Sequence, residues 1–194
     1  MEVLKHPDLI KYLLLTIIIL SFGLIIGLIF NQSDQLFSFE HSPVFTMTTF
    51  QVFQTLIIKN LIATFLILSL SILGIRLIPI IFLLINGYNI GMTIVLLNYN
   101  PFIIFATLFP HGYIEFPLLI FTGACSFIIL MEIRKTGLNA YTLLTKHHNP
   151  KVRYILKNYL IYPYIIIIIP GILVAASIEA TFTLWNLRIA IGGI

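Results

Sequence analysis

The chain is 194 residues long, 59% hydrophobic and only 9% charged, with a mean hydropathy of +1.06. Soluble domains carry about 25% charged residues, so this composition excludes a soluble domain of any size. It predicts an all-α integral membrane protein built as a single transmembrane domain over 1–194. The net charge of +4 does not imply nucleic acid, because the basic residues lie where membrane topology wants them. The one cysteine, Cys125, sits in an apolar run, which excludes a disulfide framework.

In chain order, the first predicted span covers about 9–30. Its uncharged run Tyr12–Phe30 is too long for a signal-peptide core and has no small-residue cleavage site after it, so it reads as a retained helix. Gly23 and Gly27 form a small-xxx-small face for close helix packing. A polar stretch with Asp34, Glu40 and His41 follows. Ser42-Pro43 then reads as a helix start, and Met47, Phe50, Phe53 and Ile57 recur at helical spacing opposite Thr48, Gln51 and Thr55. This predicts an interfacial amphipathic helix over about 43–58. The second span is expected over about 60–76 and the third, after a tight turn, over 77–97. The third contains Asn86, Gly87, Asn89 and Gly91. Amides at mid-span are costly unless bonded to a partner, and the two glycines leave a bare backbone strip beside them.

Pro101 breaks the pattern, and Phe102–Phe109 is apolar but too short to cross, which predicts a short re-entrant half-helix. It leads into Phe109-Pro110-His111-Gly112-Tyr113-Ile114-Glu115 and a fourth span over about 113–133. Arg134–Lys157 is polar and basic, with His147-His148 read as solvated loop residues. The fifth span, about 159–180, is expected to bend at Pro163 and Pro170 and ends in Ala175-Ala176-Ser177-Ile178-Glu179-Ala180. Trp185 and Arg188 read as an interface anchor.

Five spans make the charge asymmetry testable. With the N-terminus inside, Lys5, Lys11, Arg76, Arg134, Lys135, Lys146, Lys151, Arg153 and Lys157 fall on the cytoplasmic side, and only Lys59 and Arg188 fall outside. The expected topology is therefore a multi-pass cell-membrane protein with a cytoplasmic N-terminus and an extracellular C-terminus. It brings His111, Glu115 and Glu179 to similar depth toward the outer leaflet, with Asn60, Asn86 and Asn89 as supporting polar partners. Residues four apart share a helix face, so His111 and Glu115 converge. Gly23, Gly27, Gly87, Gly91 and Gly112 are the expected close-packing positions.

The residues leave three readings open. His111 and the two glutamates can be polar glue between the fourth and fifth spans, since intramembrane polar residues usually pair with one another. They can line a cavity for a peptide, lipid headgroup or ion. Or an imidazole and two carboxylates can hold a divalent metal such as Zn, with a position left for water. No cofactor is certain from sequence.

In sum, the ordered set is Lys59-Asn60, Leu73-Gly74, Asn86-Gly87 with Gly91, Phe109-Pro110-His111-Gly112 with Glu115, and the late Ala-Ala-Ser-Ile-Glu-Ala run. Across about 9–185 it resembles the stage II sporulation protein M family of small polytopic membrane proteins. The resemblance implies work alongside cell-wall-remodelling partners in sporulation, or maturation, secretion or self-protection in circular-bacteriocin gene clusters. It speaks to the fold more than to the function. The expected function is an integral membrane component of a cell-envelope or peptide-handling machine. Its outer-leaflet polar site would serve a peptide, cell-wall or lipid-headgroup substrate. An intramembrane metal-dependent hydrolase or peptide ligase is the alternative, and a transport or immunity protein the third. Membrane lipids, other envelope proteins, a peptide substrate and a second copy of the chain are the expected partners.

Overall fold

Inside a bilayer the backbone must satisfy its own N–H and C=O groups, and a helix does this within one segment. The computed structural model describes residues 2–30, 49–75, 77–96, 101–138, 145 and 149–183, the side chains at 49, 52, 96, 101–111, 182 and 183 excepted. Among the described residues there is no strand, and five helices are long and apolar enough to cross a membrane. They are α1 (Leu9–Phe30), α2 (Thr49–Ser71), α3 (Leu77–Leu96), α4 (Pro101–Lys135) and a fifth run, α5 (150–183). A short 3-10 turn, Glu2–Lys5, precedes α1.

Several boundaries differ from the sequence reading. The amphipathic helix expected over 43–58 is not separate: its described part runs from Thr49 straight into the second span. No glycine or proline lies between Thr49 and Ser71, so nothing interrupts the i→i−4 ladder. Asn60 therefore sits in the middle of a helix instead of opening one. The helix stops at Ser71, before the expected 76, where the Gly74 N–H donates to the Ser71 carbonyl at 3.1 Å. Gly74 takes a φ of 76°, a left-handed value that glycine adopts at little cost. Phe102–Phe109 is the opening of α4, not a separate half-helix. Pro101 at its first position has a ring torsion preset for helix and needs no intrahelical donor. The predicted helix start at Ser42-Pro43 with Met47, the loop residues Asp34, Glu40, His41 and His147-His148, and the anchor Trp185 and Arg188 lie outside the described residues.

α5 starts at Pro150, earlier than expected, because Asn149 caps it: its Oδ1 accepts from the Lys151 N–H at 3.0 Å. The two prolines expected to bend it each follow a π-helical turn, Pro163 after Leu156–Ile161 and Pro170 after Tyr164–Ile168. Proline lacks an N–H and crowds the carbonyl of residue i−4, and widening the turn relieves both problems. A third π-helical turn, Glu179–Thr183, ends the run.

The tightest seam joins α1 to α3. A Cβ added at Gly23 would lie within 3.0 Å of the α3 backbone at Leu84, and one at Gly27 would meet Tyr88 and Met92. Reciprocally, Gly87 faces Leu20 and Leu24, and Gly91 faces Leu24 and Leu28. The contacts advance together along both chains, so the helices run parallel with backbone against backbone. Lipid tails offer no hydrophobic drive for this association, and close van der Waals packing between small residues supplies it.

The other helices divide the bundle into two levels. At the end nearest the N-terminus, Ile67 and Leu68 of α2, Cys125, Ile128 and Ile129 of α4 and Val152, Ile155 and Ile168 of α5 form a solid apolar core. The N-terminal turn closes this end. Val3 is fully buried in the core, and His6 is buried against Glu132 of α4, with Nε2 3.4 Å from Oε1. His6 Nδ1 accepts from the Asp8 N–H at 3.2 Å, which leaves Nε2–H to donate to the carboxylate. Lys135 Nζ lies 3.3 Å from the same oxygen. Val3→Ala removes two buried methyl groups, so thermal unfolding should show a loss of about 1–2 kcal/mol. A lysine at an exposed position of α1, such as Ile10, gives no such loss through the core.

Candidate functional site

At the opposite end the helices enclose a chamber instead of a core. Its volume is about 350 Å³, and it is lined by Asn60, Ala63 and Thr64 of α2, Phe82, Asn86, Asn89, Ile90 and Thr93 of α3, Glu115, Phe116, Leu118 and Leu119 of α4, and Ile172 and Glu179 of α5. That volume lies within the range of small-molecule sites. Each of these four helices contributes one stripe. On α2 it is 60, 63 and 64; on α3 it is 82, 86, 89, 90 and 93, spaced by the helical repeat. The glycine face of α3 lies on the far side of the helix, roughly 140° away at 3.6 residues per turn, so the same helix seals against α1 and presents amides to the chamber.

One bond defines the site. Asn60 Nδ2 donates to Glu115 Oε1 at 2.6 Å, joining α2 to α4 across 55 residues of sequence. Glu179 reaches the same chamber from the π-helical turn that begins at that residue, with its Oε2 buried. Asn86 Nδ2 donates to the Phe82 carbonyl of its own helix at 2.8 Å, which uses one of its two N–H donors. Asn89 is exposed and lines the mouth. Tyr164 OH donates to the Leu61 carbonyl at 2.9 Å, tying α5 to α2 at the residue next to Asn60. Ala180, next to Glu179, is buried against Phe53 and Leu56 of α2.

The buried hydroxyls behave differently. Thr16, Thr64, Ser71, Thr122 and Ser126 all donate to carbonyls three or four residues back on their own helices. They are satisfied locally, whereas the Asn60–Glu115 pair is satisfied only by tertiary structure.

Of the residues singled out from sequence, Glu115, Glu179, Asn60, Asn86 and Asn89 all line this one chamber. The side chain of His111 lies outside the described ones; its backbone is in α4, one turn before Glu115. Among the described residues no group of three or more His, Cys, Asp or Glu side chains is placed to hold a metal. Gly112 differs from Gly23, Gly27, Gly87 and Gly91: an added Cβ would meet the ring of Phe116 in its own helix, not a neighbouring backbone. It makes room for a chamber wall instead of a helix seam. Thr64, Thr93 and Phe116 escaped the sequence reading. Two of them stand four residues after a polar lining residue (Asn60 and Asn89), and that spacing was the available signal.

A comparison with curated proteins and with solved structures finds no significant match. The family model described as Stage II sporulation protein M matches residues 13–184, which takes in the five spanning helices apart from the first turn of α1, and every residue of the chamber. The chain belongs to the stage II sporulation protein M family.

Proposed function

We propose that this protein is the membrane component of a cell-envelope or peptide-handling machine, and that the chamber is its working site. The carrying observation is the 2.6 Å bond from Asn60 to Glu115 inside a cavity also lined by Glu179 and two further amides. Carboxyl and amide groups held at this depth are costly and are kept where they bind or relay something. A pair serving only as glue would close on itself; here the pair borders open volume. The distribution of lysine and arginine supports an outer-leaflet position for the chamber.

Accessibility tests this reading. Asn89→Cys adds a thiol at the mouth, while the native Cys125 is fully buried. A membrane-impermeant maleimide should label the variant in intact cells and leave the unsubstituted protein unlabelled. Labelling that needs permeabilised cells would contradict the outward-facing chamber.

Two carboxyl side chains bordering one cavity also favour a second reading, a divalent metal centre completed by His111 and supporting hydrolysis or ligation of a peptide bond. Elemental analysis of the purified protein decides it. Stoichiometric metal that is lost in Glu115→Ala supports the centre; metal-free protein that still functions rejects it.

A further inference from the structure

We infer that the chamber takes the headgroup of a membrane lipid, an amine-bearing phospholipid, whose hydrocarbon chain lies in a groove between α2 and α3. This rests on the reading of the chamber as the working site and names what that site receives.

The groove has a volume of about 490 Å³ and is walled by α2 and α3. Ile62, Leu66 and Leu70 line it from α2, and Ile78 and Phe82 from α3. Ile62, Leu66 and Leu70 are 54%, 48% and 37% exposed, so the groove opens sideways onto the bilayer. Ala63 and Phe82 line both groove and chamber, so the two volumes adjoin at these residues. From Lys59 to Leu70 the groove follows α2 for about 16 Å at 1.5 Å per residue. One leaflet of a hydrocarbon core of about 30 Å is about 15 Å deep, so the groove matches one acyl chain in length.

The polarity is graded in the same sense. The groove is apolar except for Lys59 at its outer end, and the chamber beyond Ala63 carries Glu115, Glu179 and the amides. Lys59 suits a phosphate, and its long stem lets the ammonium reach the interface. The carboxyl groups suit an N–H donor. A zwitterionic headgroup with a phosphate next to an ammonium meets both at once; an anionic headgroup without the amine meets only the lysine. A hydrophilic peptide leaves the groove unfilled.

Native mass spectrometry of the purified full chain, with added dioleoylphosphatidylethanolamine or dioleoylphosphatidylglycerol, tests this. The unsubstituted protein should retain the ethanolamine lipid about tenfold better, the difference expected of one charge-assisted hydrogen bond. Ala63→Trp fills the junction and should abolish retention. Leu66→Trp, on the exposed face where folding is not at stake, should weaken it about tenfold. Ile165→Trp, on the exposed face of α5 (56% exposed), should leave it unchanged. Glu115→Gln should still bind lipid but lose the preference. Equal retention of the two lipids, or undiminished retention in Leu66→Trp, overturns the inference. So does a dimer that Leu66→Trp breaks, because the groove then holds a second copy of the chain. Failure of the lipid alone is recognisable: Glu115→Gln would still lose biological function while groove variants kept it. If Glu115→Gln retains function, the chamber reading itself fails.

Discussion

Gly87→Leu is expected to abolish the folded bundle. A Cβ at this position would run into the Leu20 carbonyl oxygen and stand 2.8 Å from the Leu24 nitrogen. Those are backbone atoms of a helix, so no rotamer change relieves the clash, and α1 and α3 must move apart. Separation also opens the paired contacts at Gly23, Gly27 and Gly91, because the four glycines form one seam. Overpacking a core with flexible neighbours costs about 1–3 kcal/mol; a clash with rigid backbone along a whole seam exceeds that. Against a total stability of about 5–15 kcal/mol, aggregation in detergent or loss from the membrane fraction is the expected result. Gly87→Ala should fold but melt well below the unsubstituted protein. A Gly87→Leu protein that is monodisperse and melts normally contradicts the seam. Gly74→Ala is the contrast: an added Cβ there has open space around it, and only the positive φ opposes it, a cost of about 1–2 kcal/mol.

Asn60→Leu has the second large effect, and its magnitude separates folding from function. The substitution removes the donor to Glu115 Oε1 while roughly conserving shape. Interhelical hydrogen bonds in membranes contribute about 0.6 kcal/mol on average and up to about 1.7. The bundle should therefore survive, with a modest drop in melting temperature. Function should be lost, because the Glu115 carboxyl is no longer held in place. Wild-type function in Asn60→Leu would mean that the bond is structural glue. Unfolding of Asn60→Leu would place several kcal/mol in a bond that these magnitudes do not allow.

Much of this was legible in the sequence, for identifiable reasons. Apolar runs of about twenty residues have one structural outcome in a bilayer, so the five spans were readable from composition and length. The chamber residues were readable because Glu115, Glu179 and Asn86 are polar where polarity is costly. That they sit at one level of the bundle followed from counting spans. The pairing of Gly23 and Gly27 with Gly87 and Gly91 was visible only in halves: each helix showed a small-residue face, but which faces meet is a tertiary fact. The same limit hid the partner of Glu115. The mid-helix position of Asn60 was obscured by Lys59, a charge read as dividing an interfacial helix from the second span. In the structure Lys59 lies inside a helix that begins ten residues earlier, and its side chain is exposed. The break before His111 was misjudged because proline is read as a helix stop, yet Pro110 lies within continuous helix. Transmembrane helices tolerate such prolines when neighbours satisfy the freed carbonyl.

The central claim is that the chamber works through its carboxyl groups and is not merely held together by them. Glu115→Gln and Glu179→Gln keep shape and keep an oxygen able to accept a hydrogen bond, while removing the acid function. The direct measurement is complementation of a deletion strain by each variant, alongside its melting temperature in detergent. Loss of function in both variants, with melting within a few degrees of the unsubstituted protein, is the expected outcome. Full complementation by either variant at normal stability would contradict it.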